Sequence, residues 1–350
     1  MNPILVDVQR GGSIESQHRG ALAVVDAEGG GVVSLGDVDR PIFPRSAVKV
    51  LQALPLVASG AADRLGLDDA QLALACASHN GEEPHAHTAA AMLAKAGLDA
   101  DALECGTHWP YLDSAVRALA AAGREPNALN NNCSGKHAGF LCLACALHRG
   151  PDLRRYVRGY VDAGHPVMRE VTAALQAATG FDLATTPRGT DGCSIPTHAI
   201  PLRHLALAFA RVGTGIGLDA GHARAARRLR RAVAKAPFMV AGTGRFDTRV
   251  MERLGERVFC KVGAEGVYCA ALPGQGLGVA IKVDDGNNAR AAEVVMAAVI
   301  EAFVTLDDGD AELMRSLSRP TLKNWRGTVV GGMRPAEALK SLTASGSGSG

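Results

Sequence analysis

Strand-like alternation of apolar residues marks this chain near its two ends, and the long stretch between them carries helical spacing. That segregation constrains the fold more than any other feature. Alternation at Ile4 to Gln9 is followed by a hairpin partner at Gly20 to Asp26, the turn-rich EGGG at 28–31 and a third strand at Val32 to Leu35. From Ser46 to about Gly60 the period changes, with Val50, Leu51, Leu54 and Val57 recurring at helical spacing. Ala-rich helical segments follow at 68–76, 84–97, 112–123, 136–148, 151–162 and 166–179, and 201–235 reads as helical throughout. Strands return at Val258 to Val262, Gly266 to Ala271 and Leu277 to Val283, with PGQG turning between the last two. A final helix spans Ala289 to Leu306 after the break DDGNN. This order predicts the α+β class: the N- and C-terminal strands form one antiparallel sheet, and the helical middle packs on it. Residues 1–340 are expected to make one unit with a sheet part and a helical part. Ser and Gly alternate from 345 to 350, so 341–350 is read as a flexible linker-like tail.

A chain of 350 residues that is 47% hydrophobic can bury one large core or two smaller ones. With 21% charged residues and a net charge of +2, it has no broad basic field for nucleic acid. The basic run Arg224 to Arg231 reads as a solvated helix face. No apolar run reaches the ~18 residues of a membrane span, and the N-terminus lacks the basic and apolar regions of a secretory signal. A cytoplasmic protein without membrane partners is expected. Eight cysteines in that compartment are not a disulfide framework. Cys76, Cys142, Cys145 and Cys269 lie in apolar runs and read as small hydrophobes. Cys142 and Cys145 have redox spacing but sit inside a helical run rather than at its start. Cys133 and Cys193 differ, because both lie in polar, glycine-containing loops.

In PRSAVK (44–49), Ser46 and Lys49 stand three apart, which puts them on one face of a helix. Pro44 suits a helix start, and the positive helix end would favour an alkoxide at Ser46. A neutral Lys49 could then take the serine proton. Alone, this pattern is equally compatible with a capping serine beside a surface lysine. Ser78, in CASHNG (76–81), and Lys261, in Lys261-Val262-Gly263, extend it to the order S-x-x-K, S-x-N, K-x-G. Penicillin-binding proteins and serine β-lactamases carry that order, although His79 and Val262 replace their Asp and Thr. Two pairs result, Ser46 with Lys49 and Ser78 with Lys261, and two neighbouring lysines would lower at least one pKa. In NNNCSGKH (130–137), Gly135-Lys136 lacks the spacing of a phosphate loop. Together with TDGCSIP (190–196), this loop offers Cys133, Lys136, His137, Asp191 and Cys193. They could converge on a soft-ligand cation such as zinc, or be buried thiols and loop hydrogen bonds.

Taken together, PRSAVK, CASHNGE, NNCSGKHAGF, GTDGCSIPT, GTGRFDT (242–248) and KVGAEG (261–266) resemble the Rhizobium-etli-type L-asparaginases, the asparaginase II family, over about residues 4–340. The resemblance implies a fold similar to serine β-lactamases and glutaminases, a homodimer, and hydrolysis of L-asparagine to aspartate and ammonia. Carried over by motif, Ser46, Lys49, Ser78 and Lys261 form the two catalytic tandems. Cys133, Lys136 and Cys193 look like the family's zinc ligands, with Asp191 and His137 close by. A lysine ligand must be neutral, so protons compete with the metal. Arg45 and Asn80 are the candidates for holding the substrate's α-groups, and His137 and Asp191 are further substrate-binding candidates. The loop GTGRFDT suits a close approach to substrate, with no role assigned. Two rivals follow from the same residues: a related serine amidase (a glutaminase or a β-lactam or D-peptide hydrolase), and a non-catalytic zinc-binding protein.

Overall fold

Near the N-terminus the alternating segments fold as β1 (Ile4–Arg10), β2 (Ser13–Asp26) and β3 (Gly31–Leu35). Their late counterparts are β4 (Phe259–Val262), β5 (Val267–Leu272) and β6 (Leu277–Val283). The computed structural model describes residues 1–340 and 342; the expected Ser/Gly tail, Leu342 apart, lies outside the described residues. Two strands that the sequence pattern did not reveal, β7 (Thr321–Lys323) and β8 (Val329–Pro335), complete an eight-stranded sheet. Its order is β7-β8-β1-β2-β6-β5-β4, with β3 attached to β2, and every pairing resolved along it is antiparallel.

The sheet is curled, and β2 is the reason. Its first half pairs with β1, whereas Gly20 to Asp26 pair with β6 and residues 22–25 also take β3 on the opposite edge. Gly20 stands at the handover, where a Cβ would lie 2.4 Å from the Lys282 carbonyl oxygen. β5 is buried at every position, which is why it reads as a continuous apolar run rather than an alternation.

Residue contacts divide the chain into two groupings. The sheet grouping holds residues 1–47, 200–210 and the described residues from 260 onward; the helical grouping holds 48–199 and 211–259. In the sheet grouping, the helix Glu293–Phe303 packs on β1 and β8 and against a further helix, Asp308–Ser318. The helix expected to be final is therefore followed by another. In the helical grouping, the helix Lys49–Ala58 is buried from Lys49 to Leu56 and touches the helices Ser134–Leu147, Pro166–Thr179 and Ala220–Lys235. Leu51, Leu54 and Leu56 are fully buried there, each worth about 1.5–3 kcal/mol of transfer free energy. The helix Asp69–Ala75 opens with a capping box between Asp68 and Gln71. It meets the helix Ser134–Leu147 at Gly135, where a Cβ would lie 2.3 Å from Leu74 Cγ and 2.4 Å from Leu74 O.

Other expectations shift at identifiable residues. The helix expected from Ser46 begins at Lys49, preceded by a 3-10 turn, Arg45–Val48, because Arg45 has φ +52°, outside the helical region. Within 151–162, helix persists over Leu153–Tyr156, and Gly159 at φ +71° turns the chain away. The stretch 201–235 is two helices, Leu202–Thr214 and Ala220–Lys235, separated at Gly215 and Gly217 and restarted by the Asp219 cap. The basic run lies on the second of these, where Arg228 and Lys235 pair with Asp63 and Asp69. Among the described residues, no helix is long and apolar enough to cross a membrane.

Candidate functional site

In the helical grouping, segment 76–81 leaves the helix Asp69–Ala75 and is held from two sides. Ser78 N–H donates to Val240 O (2.8 Å) and Asn80 N–H to Ala241 O (2.9 Å), while His79 N–H donates to Asn132 O (3.2 Å). His79 Nδ1 accepts the Gly81 N–H at 3.0 Å, so the ring proton sits on Nε2, 3.0 Å from Ser134 Oγ. Extended pairing on both sides thus binds CASHNGE to NNCSGKHAGF and to the residues leading into GTGRFDT.

Two buried lysines and two sulfurs converge beside it. Lys49 donates to Ala77 O, to Ser78 Oγ (2.9 Å) and to Cys133 Sγ (3.1 Å). Lys136 donates to Cys193 Sγ at 2.9 Å. Cys193 is presented by the turn of a short hairpin, Arg188–Thr190 with Pro196–His198, in which Ser194 adopts φ +75°. The Cys193 thiol donates to Cys133, and that hydrogen bond, aided by Lys49 and Lys136, holds Cys133 well below the usual thiol range despite burial. The same bond and burial drive Cys193 upward, because its proton is the one shared. The Cys133 sulfur thus lies 3.1 Å from Lys49 Nζ and in the field of Lys136. Burial alone would lower the Lys136 pKa, but the fields of Cys193 and Cys133 raise it above the usual lysine range. Asp191, half-buried, adds to that field and accepts the Gly192 N–H at 2.8 Å.

Cys133 N–H is capped by Asn131 Oδ1 (2.8 Å), and Asn131 Nδ2 donates in turn to Cys105 O (2.9 Å). His137 is fully buried, with Nδ1 2.5 Å from the Tyr160 hydroxyl, which also accepts the Glu104 N–H at 3.0 Å. Tyr160 consequently donates to Nδ1, and the opposite nitrogen, Nε2, is buried with no partner among the described residues. Burial, reinforced by Lys136 and Lys49, holds the His137 pKa well below the ordinary histidine value.

In the sheet grouping, Ser46 lies in the turn Arg45–Val48, and Lys261 is buried in β4 with Nζ donating to Val262 O at 2.8 Å. Gly263 brings the two together: a Cβ there would lie 2.7 Å from Pro44 O and 3.3 Å from Ala47 Cβ. Asn288 Nδ2 fixes this strand end by donating to Gly263 O at 2.9 Å.

The loop GTGRFDT closes on the residues after Ser78. Asn80 Oδ1 accepts from Arg245 Nη1 (3.1 Å), and Asn80 Nδ2 donates to Thr243 O (3.1 Å) and Glu82 Oε1 (3.4 Å). Glu82 also takes the Thr243 N–H at 2.8 Å and the Thr243 hydroxyl at 2.7 Å. Gly242, at φ +102°, permits this, since a Cβ would stand 2.4 Å from Glu82 Oε1. Sequence reasoning named Asn80 but missed Glu82 and Arg245; the paired glycines of GTGRFDT were the available signal. It also missed Tyr160 and Cys105, whose thiol is pushed up to about 12 by burial and then by the nearby Cys133. Lys49 is joined to Ser78 and Cys133, partners that spacing along the chain does not reveal.

Buried hydroxyls, lysines and a thiolate gathered at one bend define an α+β protein whose polar interior is organised for chemistry, since stability alone disfavours such groups. The family model for L-asparaginase II matches residues 6–335, and the chain belongs to that family. Among solved structures it is similar to the crystal structure of Mglu in its tris and glutamate form, at 16% identity and a TM-score of 0.35, covering 84% of this chain and 62% of that one. A second Mglu crystal structure gives the same identity and TM-score and covers 83% of this chain and 69% of that one. The chain thus spans about 62% of the first of these structures. No curated protein matches the chain.

Proposed function

We propose that this protein is a cytoplasmic, homodimeric L-asparaginase that hydrolyses the side-chain amide of L-asparagine through an acyl-enzyme, on a serine β-lactamase/glutaminase-like scaffold. Family membership supports the substrate. The observation that carries the chemistry is the buried Lys49 amine bonded to Ser78 Oγ at 2.9 Å. In the proposed route Ser46 Oγ attacks the carboxamide carbon and its proton passes to Lys49 in its neutral form. Lys49 returns a proton through Ser78 to the leaving nitrogen, the C–N bond breaks, and ammonia departs. In the second step water attacks the acyl carbon and gives a proton to Lys261, the acyl C–O bond breaks, and that proton returns to Ser46 Oγ as aspartate leaves. The pairing of Ser78 with Lys261 rests on motif order.

Cys133, Lys136 and Cys193 fit a zinc ion by donor chemistry: two sulfurs, that of Cys133 held well below the usual thiol range, and a nitrogen 2.9 Å from the sulfur of Cys193. Zinc held there would supply a Lewis acid to polarise an oxygen of substrate or water. Lys136 must shed its proton first, and His137 Nε2, without a partner among the described residues, marks a second polar atom left over for substrate or water. Among the described residues no three His, Cys, Asp or Glu side chains form a metal-holding group, so the lysine nitrogen is required.

Ammonia release is the test, with L-asparagine, L-glutamine and a chromogenic β-lactam compared side by side. Turnover confined to asparagine, and lost in a folded Ser46→Ala variant, supports the reading. Release from glutamine alone or opening of the β-lactam would assign a related amidase. Near-normal turnover by Ser46→Ala would remove the nucleophile.

A further inference from the structure

The loop GTGRFDT carries a charge arrangement that the proposed route does not use. Arg245 is half-buried, and the one hydrogen bond of its side chain among the described residues is to a neutral amide, Asn80 Oδ1 at 3.1 Å. No carboxylate lies within ion-pair distance of it among the described residues. Glu82 is its mirror image. Its carboxylate accepts from Thr243 N–H, the Thr243 hydroxyl and Asn80 Nδ2, all neutral donors, and no lysine or arginine reaches it among the described residues. Opposite charges this near each other ordinarily pair, as Arg154 does with Asp99 at 2.7 Å and Arg319 with Glu301 at 3.0 Å. Here Asn80 holds them apart, with its oxygen on the guanidinium and its nitrogen on the carboxylate.

From this we infer that Arg245 binds the α-carboxylate and Glu82 the α-ammonium of the amino-acid substrate, with Asn80 as the positioning residue between them. The inference rests on the asparaginase reading and refines it. A free α-amino acid carries both charges on one carbon, so its complement is a cation and an anion fixed a short distance apart and not neutralised by each other. Guanidinium suits the carboxylate, because its planar fork can donate two parallel hydrogen bonds. Asn80 is unsuited to gripping substrate itself, since both ends of its amide are already engaged. The location agrees: Asn80 is two residues from Ser78, and Thr243 and Gly244 are exposed, leaving the loop open to solvent. Tyr111, 59% exposed, joins the same loop, its N–H donating to Asn80 O at 2.8 Å, and it feels the fields of Cys133 and Arg245.

Steady-state kinetics on three amides reads the two charges separately: L-asparagine, 3-aminopropanamide (no α-carboxylate) and succinamate (no α-ammonium). A charge-assisted hydrogen bond of about 1.5–3 kcal/mol corresponds to roughly 10–150-fold in kcat/KM. Arg245→Ala is expected to lose a factor in that range on L-asparagine, chiefly through KM, and less than a tenth of that factor on 3-aminopropanamide. Glu82→Gln is expected to show the same contrast between L-asparagine and succinamate. Equal losses on all three amides, or no loss on L-asparagine, would overturn the assignment. If the wild-type protein releases no ammonia from any of them, the asparaginase reading fails, and calorimetric titration with L-aspartate still decides the clamp. Binding that is lost in Arg245→Ala keeps it, and absence of binding to the wild type removes it.

Discussion

The contact between Gly135 and Leu74 yields a prediction whose size the structure sets. Replacing Gly135 by alanine puts a methyl carbon 2.3 Å from Leu74 Cγ and 2.4 Å from Leu74 O, about 1 Å inside ordinary van der Waals separation. Leu74 Cγ can rotate away, but its carbonyl belongs to the helix Asp69–Ala75, so the two helices must part. Overpacking of this kind costs about 1–3 kcal/mol, and the better helix propensity of alanine returns less than about 1 kcal/mol so close to a helix start. Gly139→Ala is the internal control: its Cβ meets Ala75 Cβ at 3.2 Å and Leu56 Cδ2 at 3.4 Å, so crowding and propensity nearly cancel. Urea unfolding followed by circular dichroism should give a Gly135→Ala variant roughly 1–3 kcal/mol less stable than Gly139→Ala. Activity should fall with it, because Gly135 lies between Ser134, which meets His79, and Lys136, which holds Cys193. A Gly135→Ala protein as stable and active as Gly139→Ala would refute the claim that this contact sets the site.

Three further outcomes follow from the buried charges. Burial lowers the His85 pKa below its usual 6.5, so the unfolded chain takes up the proton first and stability falls as pH drops below that value, by about 1.4 kcal/mol per pH unit until the folded group titrates. His85→Phe keeps the stacking on His79 and Phe238, loses the hydrogen bond to Phe238 O, and should show a smaller drop in melting temperature between pH 7.5 and 5.5 than the wild type. Lys49→Met removes the donor to Ser78 and Cys133, and ammonia release should fall by at least about a hundredfold, as general-base loss does. Cys193→Ser replaces a soft donor with a poor one; metal analysis after dialysis against zinc should give markedly less bound zinc than in the wild type, and equal loading would exclude Cys193 as a ligand.

The parts of the fold legible in the sequence are those whose apolar residues run or alternate between clear turn signals. β1, β2 and β6 announced themselves by alternation or apolar runs bounded by turns, and the class followed from their placement at both ends. β8 did not, because Gly331 and Gly332 interrupt its apolar side, and β7 spans three residues. The helix Asp308–Ser318 begins with a capping box built from Asp307 and Asp310, whose second member is not the usual Glu or Gln. Helical stretches were drawn too long wherever a glycine with positive φ, such as Gly159, ends a run whose composition continues to favour helix.

For the site, residue types were readable and their partners were not. Serine, lysine and cysteine could be singled out because each is costly to bury and chemically specific, yet Lys49 finds Ser78 and Cys133 only across 29 and 84 residues of chain. Those meetings depend on glycines that looked like loop punctuation. In CASHNGE, NNCSGKHAGF, GTGRFDT and KVGAEG, a Cβ on Gly81, Gly135, Gly242 or Gly263 would come within 2.7 Å of Asn130 O, Leu74, Glu82 or Pro44 O. A side chain at any of the four would crowd the neighbour its motif touches, and at Gly135 the crowded neighbour is the backbone of Leu74. The glycines are therefore part of the chemistry: they set the approach on which each charged contact depends, and neither propensity nor periodicity reports an approach distance.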